Sequence, residues 1–168
     1  MGHIVLLNGI PAAGKSTVAA KLKMLRPHLQ TVEGDAVIRA TEQVADPAVF
    51  VAQALEGVFS AVELKALLGP VVLDQAMPPS FVLRTRTRFS GSFTAVLLTI
   101  DEDVRVARQA EREAQGRHLT SAYDSRWEAF GQATDLHDLV LDANGPDRDG
   151  LDEDDCAAAI LEHVGPAI

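Results

Sequence analysis

Gly9-Ile10-Pro11-Ala12-Ala13-Gly14-Lys15-Ser16 sets two glycines round a short run of small residues and follows them with a lysine and a hydroxyl. Small side chains let a backbone wrap closely round an anion, so that several N–H groups converge on phosphate oxygens. A lysine at the end of such a loop adds a point charge for the outer phosphates. A serine beside it offers an oxygen to Mg²⁺, which keeps most of its waters and takes few protein ligands. The pattern follows the apolar run Ile4–Leu7 and precedes a helix expected over 17–24, where a phosphate loop has to lie. A glycine-rich turn alone would leave the Gly-Lys-Ser-Thr order unexplained. Gly9, Ala12, Ala13, Gly14, Lys15, Ser16 and Thr17 are therefore expected to hold the phosphates of ATP, with Lys15 also acting on the transferred group and Ser16 as a magnesium ligand.

Two aspartates stand at the ends of apolar runs. Asp74 closes Val71-Val72-Leu73, so a buried strand would deliver its carboxylate beside the loop to hold Mg²⁺. A turn residue is the plain alternative. Asp35 follows Thr31-Val32-Glu33-Gly34 and opens a helix, which makes it either a helix N-cap or the base that takes a substrate hydroxyl proton. Glu33 is the alternative base if the strand ends earlier.

Arginines form a third group. Arg105, Arg108 and Arg112 recur at helical spacing and share a face. Asp101 is in reach of Arg105 and Glu111 of Arg108, but Arg112 has no acidic residue three or four positions away. Like charges at that spacing repel by a few tenths of a kcal/mol unless an anion relieves them, so Arg108 and Arg112 are expected on the nucleotide, and Arg112 on the transferred phosphoryl. Arg117, beside Gly116, is placed to close over the phosphates from a lid. Arg39 and the run Arg84-Thr85-Arg86-Thr87-Arg88 belong either to solvated faces or, if they face the cleft, to an acceptor already carrying a phosphate or carboxylate.

These residues need a frame that brings them together. Apolar runs at Ile4–Leu7, Thr31–Val32, Val71–Leu73, Ala95–Ile100 and Leu139–Leu141 alternate with stretches of helical spacing, which predicts an α/β fold with a parallel sheet covered on both faces. Right-handed crossovers then gather the strand C-termini at one edge. Val51, Leu55, Val58, Val62 and Ala66 mark an amphipathic helix before Gly69-Pro70. Acidic residues at Asp101–Asp103 and Asp152–Asp155 open two later helices at their positive ends.

Composition limits the partners. The chain has 168 residues, 47% hydrophobic, enough for one sizeable core, and a single domain over 1–168 is expected. A net charge of -9 opposes a nucleic-acid surface, which needs Lys and Arg to displace condensed counterions. Cys156 is the only cysteine, so no intramolecular disulfide forms, which suits a cytoplasmic location. No run approaches the length of a membrane span and no basic leader precedes the first strand.

With these residues in place the chain resembles the small P-loop kinases related to shikimate and gluconate kinase, and among them most the chloramphenicol phosphotransferase family. The resemblance rests on Leu7-Asn8-Gly9 leading into the loop, Gly34-Asp35, Val71–Asp74, the Arg108 to Arg112 spacing with Gly116-Arg117, and Leu141-Asp142 before a final helix. It implies a P-loop NTPase three-layer α/β/α fold, a five-stranded parallel sheet in order 2-3-1-4-5 and a helical lid around 105–126. It also implies ATP and Mg²⁺ as cofactors, a small-molecule alcohol as acceptor, Asp35 as base and adenine resting near Asn144. Arg39 departs from what an antibiotic kinase would carry beside its acceptor, and is expected to touch the substrate. A polynucleotide or nucleotide 5'-kinase is the second enzyme reading, and a nucleotide-dependent switch the reading without catalysis.

Overall fold

A computed structural model describes residues 1–116 and 133–168. Five strands, β1 (Ile4–Asn8), β2 (Gln30–Glu33), β3 (Val71–Asp74), β4 (Phe93–Thr99) and β5 (Leu139–Asp142), form one sheet. The order is β2-β3-β1-β4-β5 and every pairing is parallel, as expected. The helices are α1 (Lys15–Leu25), α2 (Gly34–Ala40), α3 (Pro47–Ala66), α4 (Pro79–Arg88), α5 (Glu102–Ala114) and α6 (Glu153–Val164). Short 3₁₀ turns lie at Thr134–Leu136, Pro146–Arg148 and Gly165–Ala167.

Alternation along the central strand divides the core in two. Val5 and Leu7 face α1 and α6, packing with Val18, Leu22, Cys156 and Ile160. Ile4 and Leu6 face the other way, with Leu55, Val58, Phe59 and Val62 of α3 and Val82 of α4. Each fully buried Leu or Ile contributes roughly 1.5–3 kcal/mol, which outweighs any local preference of these short strands. α3 has twenty residues and an apolar composition that matches a membrane span in length, contrary to the sequence expectation. Its Ala54, Leu55, Val58, Phe59, Val62 and Ala66 are buried in the core of this fold.

Register places the functional edge. Leu7 pairs with Asp74 and Glu33 also pairs with Asp74, so β1, β2 and β3 end level with one another. Gly9 then leaves β1 at φ 143, and a Cβ there would lie 2.5 Å from the Leu98 carbonyl oxygen. No other residue lets the chain turn so closely against β4.

Candidate active site

The loop from Gly9 to Gly14 turns back on itself through Ala12 at φ 69 and Gly14 at φ 92 and delivers the chain into α1. Gly14 holds the N-cap position without a side chain to bond the first amides of the helix. The positive end of α1 therefore faces the cleft without a side-chain cap, which is the condition for holding an anion. Lys15 Nζ donates to the carbonyls of Gly9 at 3.0 Å and Ile10 at 3.1 Å, folded across the loop. Burial pushes its ammonium below the ordinary value, opposed by the charges of Asp74 and Asp35 and reinforced by Arg112. These four charged groups thus act on one point, though they come from α1, β3, α2 and α5.

Asp74 ends β3 and accepts a hydrogen bond from the Ser16 hydroxyl. Burial raises its carboxyl above the ordinary range, Ser16 and Lys15 pull it back, and Asp35 and Glu33 raise it further. A cation would relieve that cost. Among the described residues no three His, Cys, Asp or Glu side chains gather as a metal cage, so an ion at Ser16 and Asp74 would complete its shell with phosphate oxygens and water.

Asp35 lies in the first turn of α2, where Glu33 occupies the N-cap position without a side-chain cap bond. The N-cap alternative for Asp35 therefore falls, because the helix begins one residue earlier, at Gly34. Its Oδ1 accepts from Gln75 Nε2 at 3.1 Å, and the same amide nitrogen donates to the Ala76 carbonyl at 3.0 Å. Two acceptors on one nitrogen fix the amide orientation. Gln75 Oε1 is left buried and unpaired against Gly34, where a Cβ would come within 1.8 Å. The position thus has to be glycine for Gln75 to reach Asp35.

A cleft of about 430 Å³ runs from the phosphate loop between α5 and the turn after β5. Ala12, Ala13, Gly14, Thr17, Arg108, Arg112 and Asn144 all line it. Arg108 does not pair with Glu111. It donates to the Ala143 carbonyl at 2.8 Å and reaches the Ala12 carbonyl at 3.5 Å, joining α5 to the loop and to the end of β5. Arg105 pairs with Glu102 and Gln109 rather than Asp101, because Asp101 precedes the helix and its side chain makes no cap. Arg112 meets no hydrogen-bond or ion-pair partner among the described residues. Asn144 accepts at Oδ1 from the Asp101 amide, which holds the turn open beside the cleft.

Arg39 is exposed on α2 and lines neither this cleft nor the cavity described next. Arg86 binds Asp138 at 2.8 Å and lies over Phe93; Arg88 binds Glu63 at 2.8 Å and lies over Phe59. Arg84 sits over Phe81, outside the apolar cavity. Arg117 and the lid beyond Gly116 fall outside the described residues.

On the α2, α3 and α4 side of Asp35 lies a second cavity, of about 130 Å³, which the sequence did not announce. Ile38, Phe50, Leu55, Val58, Met77 and Phe81 form its walls, and among the described residues Gln75 is the one polar residue that lines it. The hydrophobic spacing of α3 marked a core face, and nothing in that spacing separates a core residue from a cavity wall. Gln75 was signalled only by standing next to Asp74.

No protein-family model matches the chain, and no curated protein matches its sequence. Solved structures do. APS kinase from Mycobacterium tuberculosis, determined with AMPPNP and APS, is 16% identical over 97% of each chain with a TM-score of 0.64. Shikimate kinase from Bacteroides thetaiotaomicron is 18% identical over 95% of this chain and 97% of that one, with a TM-score of 0.62. Gluconokinase from Sinorhizobium meliloti is 19% identical over 95% and 93%, with a TM-score of 0.56. The chain has the fold of the small P-loop kinases, and at these identities the likeness is one of fold.

Proposed function

We propose that the protein is an ATP-dependent phosphotransferase that moves the γ-phosphoryl to a hydroxyl of a small molecule. The observation that carries this reading is the convergence of Lys15, Ser16, Asp74 and Asp35 at the level end of three strands. A binding module needs the first three. A carboxylate held by Gln75 on the acceptor side of the loop is what a transferase adds.

Each residue then has a task. The loop amides and Lys15 hold the phosphate chain, and Arg112, charged and without a protein partner among the described residues, bears on the transferred group. Ser16 and Asp74 would hold Mg²⁺, which supplies charge neutralisation at the phosphate oxygens. Gln75 occupies one oxygen of Asp35 and leaves the other to take the hydroxyl proton as the acceptor oxygen bonds to the γ-phosphorus and the bond from that phosphorus to the bridging oxygen breaks, releasing ADP. Asn144 and the turn after β5 flank the space for the base.

The cavity beside Asp35 sets the acceptor class. Its volume is close to the roughly 150 Å³ that accommodates benzene in an apolar protein interior, so it suits an uncharged group the size of one ring. Among the described residues no arginine lines it, which favours an uncharged acceptor group over one already carrying a phosphate or carboxylate. Arg86 and Arg88 are engaged with Asp138 and Glu63 on the outer faces.

ADP formation should be measured with ATP and Mg²⁺ against benzyl alcohol, 2-phenylethanol and cyclohexylmethanol, and against gluconate and shikimate, with the ester identified by ³¹P NMR. Ester from the ring alcohols is expected. Ester from the hydroxy acids alone would overturn the acceptor class, and ester from none of a broad set of alcohols would overturn phosphotransfer.

A further inference from the structure

Asn8, the last residue of β1, is buried and uses its whole side chain. Oδ1 accepts from the Met77 amide at 2.7 Å, and Nδ2 donates to the Met77 carbonyl at 3.1 Å. Those two bonds fix which way the amide points. The remaining Nδ2 hydrogen meets His137 Nε2 at 3.0 Å. Both hydrogens of Asn8 are then spent, so His137 Nε2 has to be the acceptor. Its proton lies on Nδ1, which is 2.9 Å from the Ala133 carbonyl and donates to it. One tautomer of the neutral ring satisfies all four contacts.

Met77 is the wall residue that Asn8 pins. Its backbone is held by Asn8, its sulfur lies 3.4 Å from Thr85 Oγ1, whose hydrogen goes to the Phe81 carbonyl at 2.7 Å, and its side chain closes the apolar cavity beside Asp35. We propose that His137, in its neutral form, is a positioning residue for that cavity: it locks Asn8, and through Asn8 it holds Met77 against the end of β1. A second proton on the ring would set Nε2–H against Nδ2–H. Asn8 cannot turn over to accept it without giving up both bonds to Met77, so protonation must separate His137 from Asn8 or Asn8 from Met77.

The charges round the ring agree with this geometry. Burial lowers the His137 pKa below its ordinary 6.5, and Arg86 on α4 lowers it further; the Ala133 bond, Asp138 at the head of β5 and Asp135 in the 3₁₀ turn oppose them. Asp138 is itself bound by Arg86 and by the Ala95 amide, which limits its pull. Among the described residues, β1 and the β3–α4 loop join the network through Asn8 and the neutral Met77. A ring whose pKa is lowered in the folded state contributes stability that is full above pH 6.5. That stability is lost as the pH falls from 6.5 through the folded value.

The significance of the cavity rests on the proposed acceptor site, but the lock does not, and the test reads the lock. The full chain has three methionines, and Met1 and Met24 are 67% and 74% exposed, so they serve as controls. Methyl-labelled methionine spectra are recorded from pH 8 to pH 5 alongside the His137 ring protons. His137 is expected to titrate below 6.5, with the Met77 methyl moving on the same curve while Met1 and Met24 stay still. In His137→Gln, which keeps an acceptor at that place and does not titrate, Met77 should remain at its high-pH position throughout. A Met77 methyl that ignores the His137 titration overturns the proposal. So does a His137 pKa at or above 6.5, or the same Met77 movement in His137→Gln. If the variant does not fold, the wild-type titration decides alone. Failure to find phosphotransfer would defeat the acceptor reading and leave these spectra unchanged.

Discussion

At the scale of single residues, the site joins groups whose stability and activity effects should part company. Asp35→Asn keeps an oxygen for Gln75 Nε2 and leaves the helix start unaltered, since Glu33 holds the cap position. Thermal unfolding of that variant should match the wild type, while turnover on an accepted alcohol falls about 10²- to 10⁴-fold, because the amide cannot take a proton. A loss below about tenfold would pass the role of base to Glu33. Asp74 gives the opposite division. Its raised pKa means that the ionised form is the costly one, so the native state holds its proton more tightly than the unfolded chain does. The associated stability is full below the ordinary 3.8 and is lost as pH rises through the raised value. Asp74→Asn should therefore raise the melting temperature of the nucleotide-free protein at pH 7 and abolish the extra stabilisation that Mg²⁺ adds to ATP. A lower melting temperature would show that its bond to Ser16 outweighs burial of the charge.

At the scale of elements, α5 contributes two arginines one turn apart with different work. Arg108 fastens α5 to the Ala143 and Ala12 carbonyls, so Arg108→Ala removes a charged donor from two half-buried acceptors. Chemical denaturation should register a loss of about 1–3 kcal/mol, with weaker ATP binding following from the loosened loop. Arg112→Ala should leave the unfolding free energy within about 0.5 kcal/mol of the wild type, since no protein group loses a partner among the described residues. Its effect should fall on kcat. Equal destabilisation by the two substitutions would contradict the distinction. The junction of β2 and α2 is a second such element: Gly34→Ala would place a methyl on the Gln75 amide and should cut turnover by displacing Asp35 while ATP binding persists.

At the scale of the whole molecule, the sheet edge is a meeting of ends that only ligands complete. Thermal melting with Mg²⁺ and ATP at about a hundred times the dissociation constant should show a stabilisation of about 2.7 kcal/mol. For a chain of this size that corresponds to an upward shift of about 5–10 °C. Lys15→Ala should abolish most of that shift as well as turnover, because the loop loses its charge against the outer phosphates. An undiminished shift in Lys15→Ala would remove the nucleotide from this loop. Ring alcohols should add a further, smaller shift through the apolar cavity, and cavity filling by Ala54→Phe should remove it without affecting the response to ATP.

The amino-acid sequence by itself determined the phosphate loop, the alternation of strands and helices, and the placing of Asp74 at a strand end and of Asp35 at the start of a helix; that β2 already ends at Glu33 came from the structure. Those features are local: they depend on residue type, on spacing of 2 or 3.6, and on glycine where the backbone must turn tightly. Tertiary structure alone decided which arginines face the cleft. Arg86 and Arg88 belong to a run of arginines two residues apart that could as well have faced a cleft, but their partners Asp138 and Glu63 lie far away in sequence. The same holds for Gln75 on Asp35, for the cavity walled by α2, α3 and α4, and for His137 on Asn8 across 129 positions. A hydrogen bond or a void is fixed by distances between elements, and periodicity within one element carries no information about them.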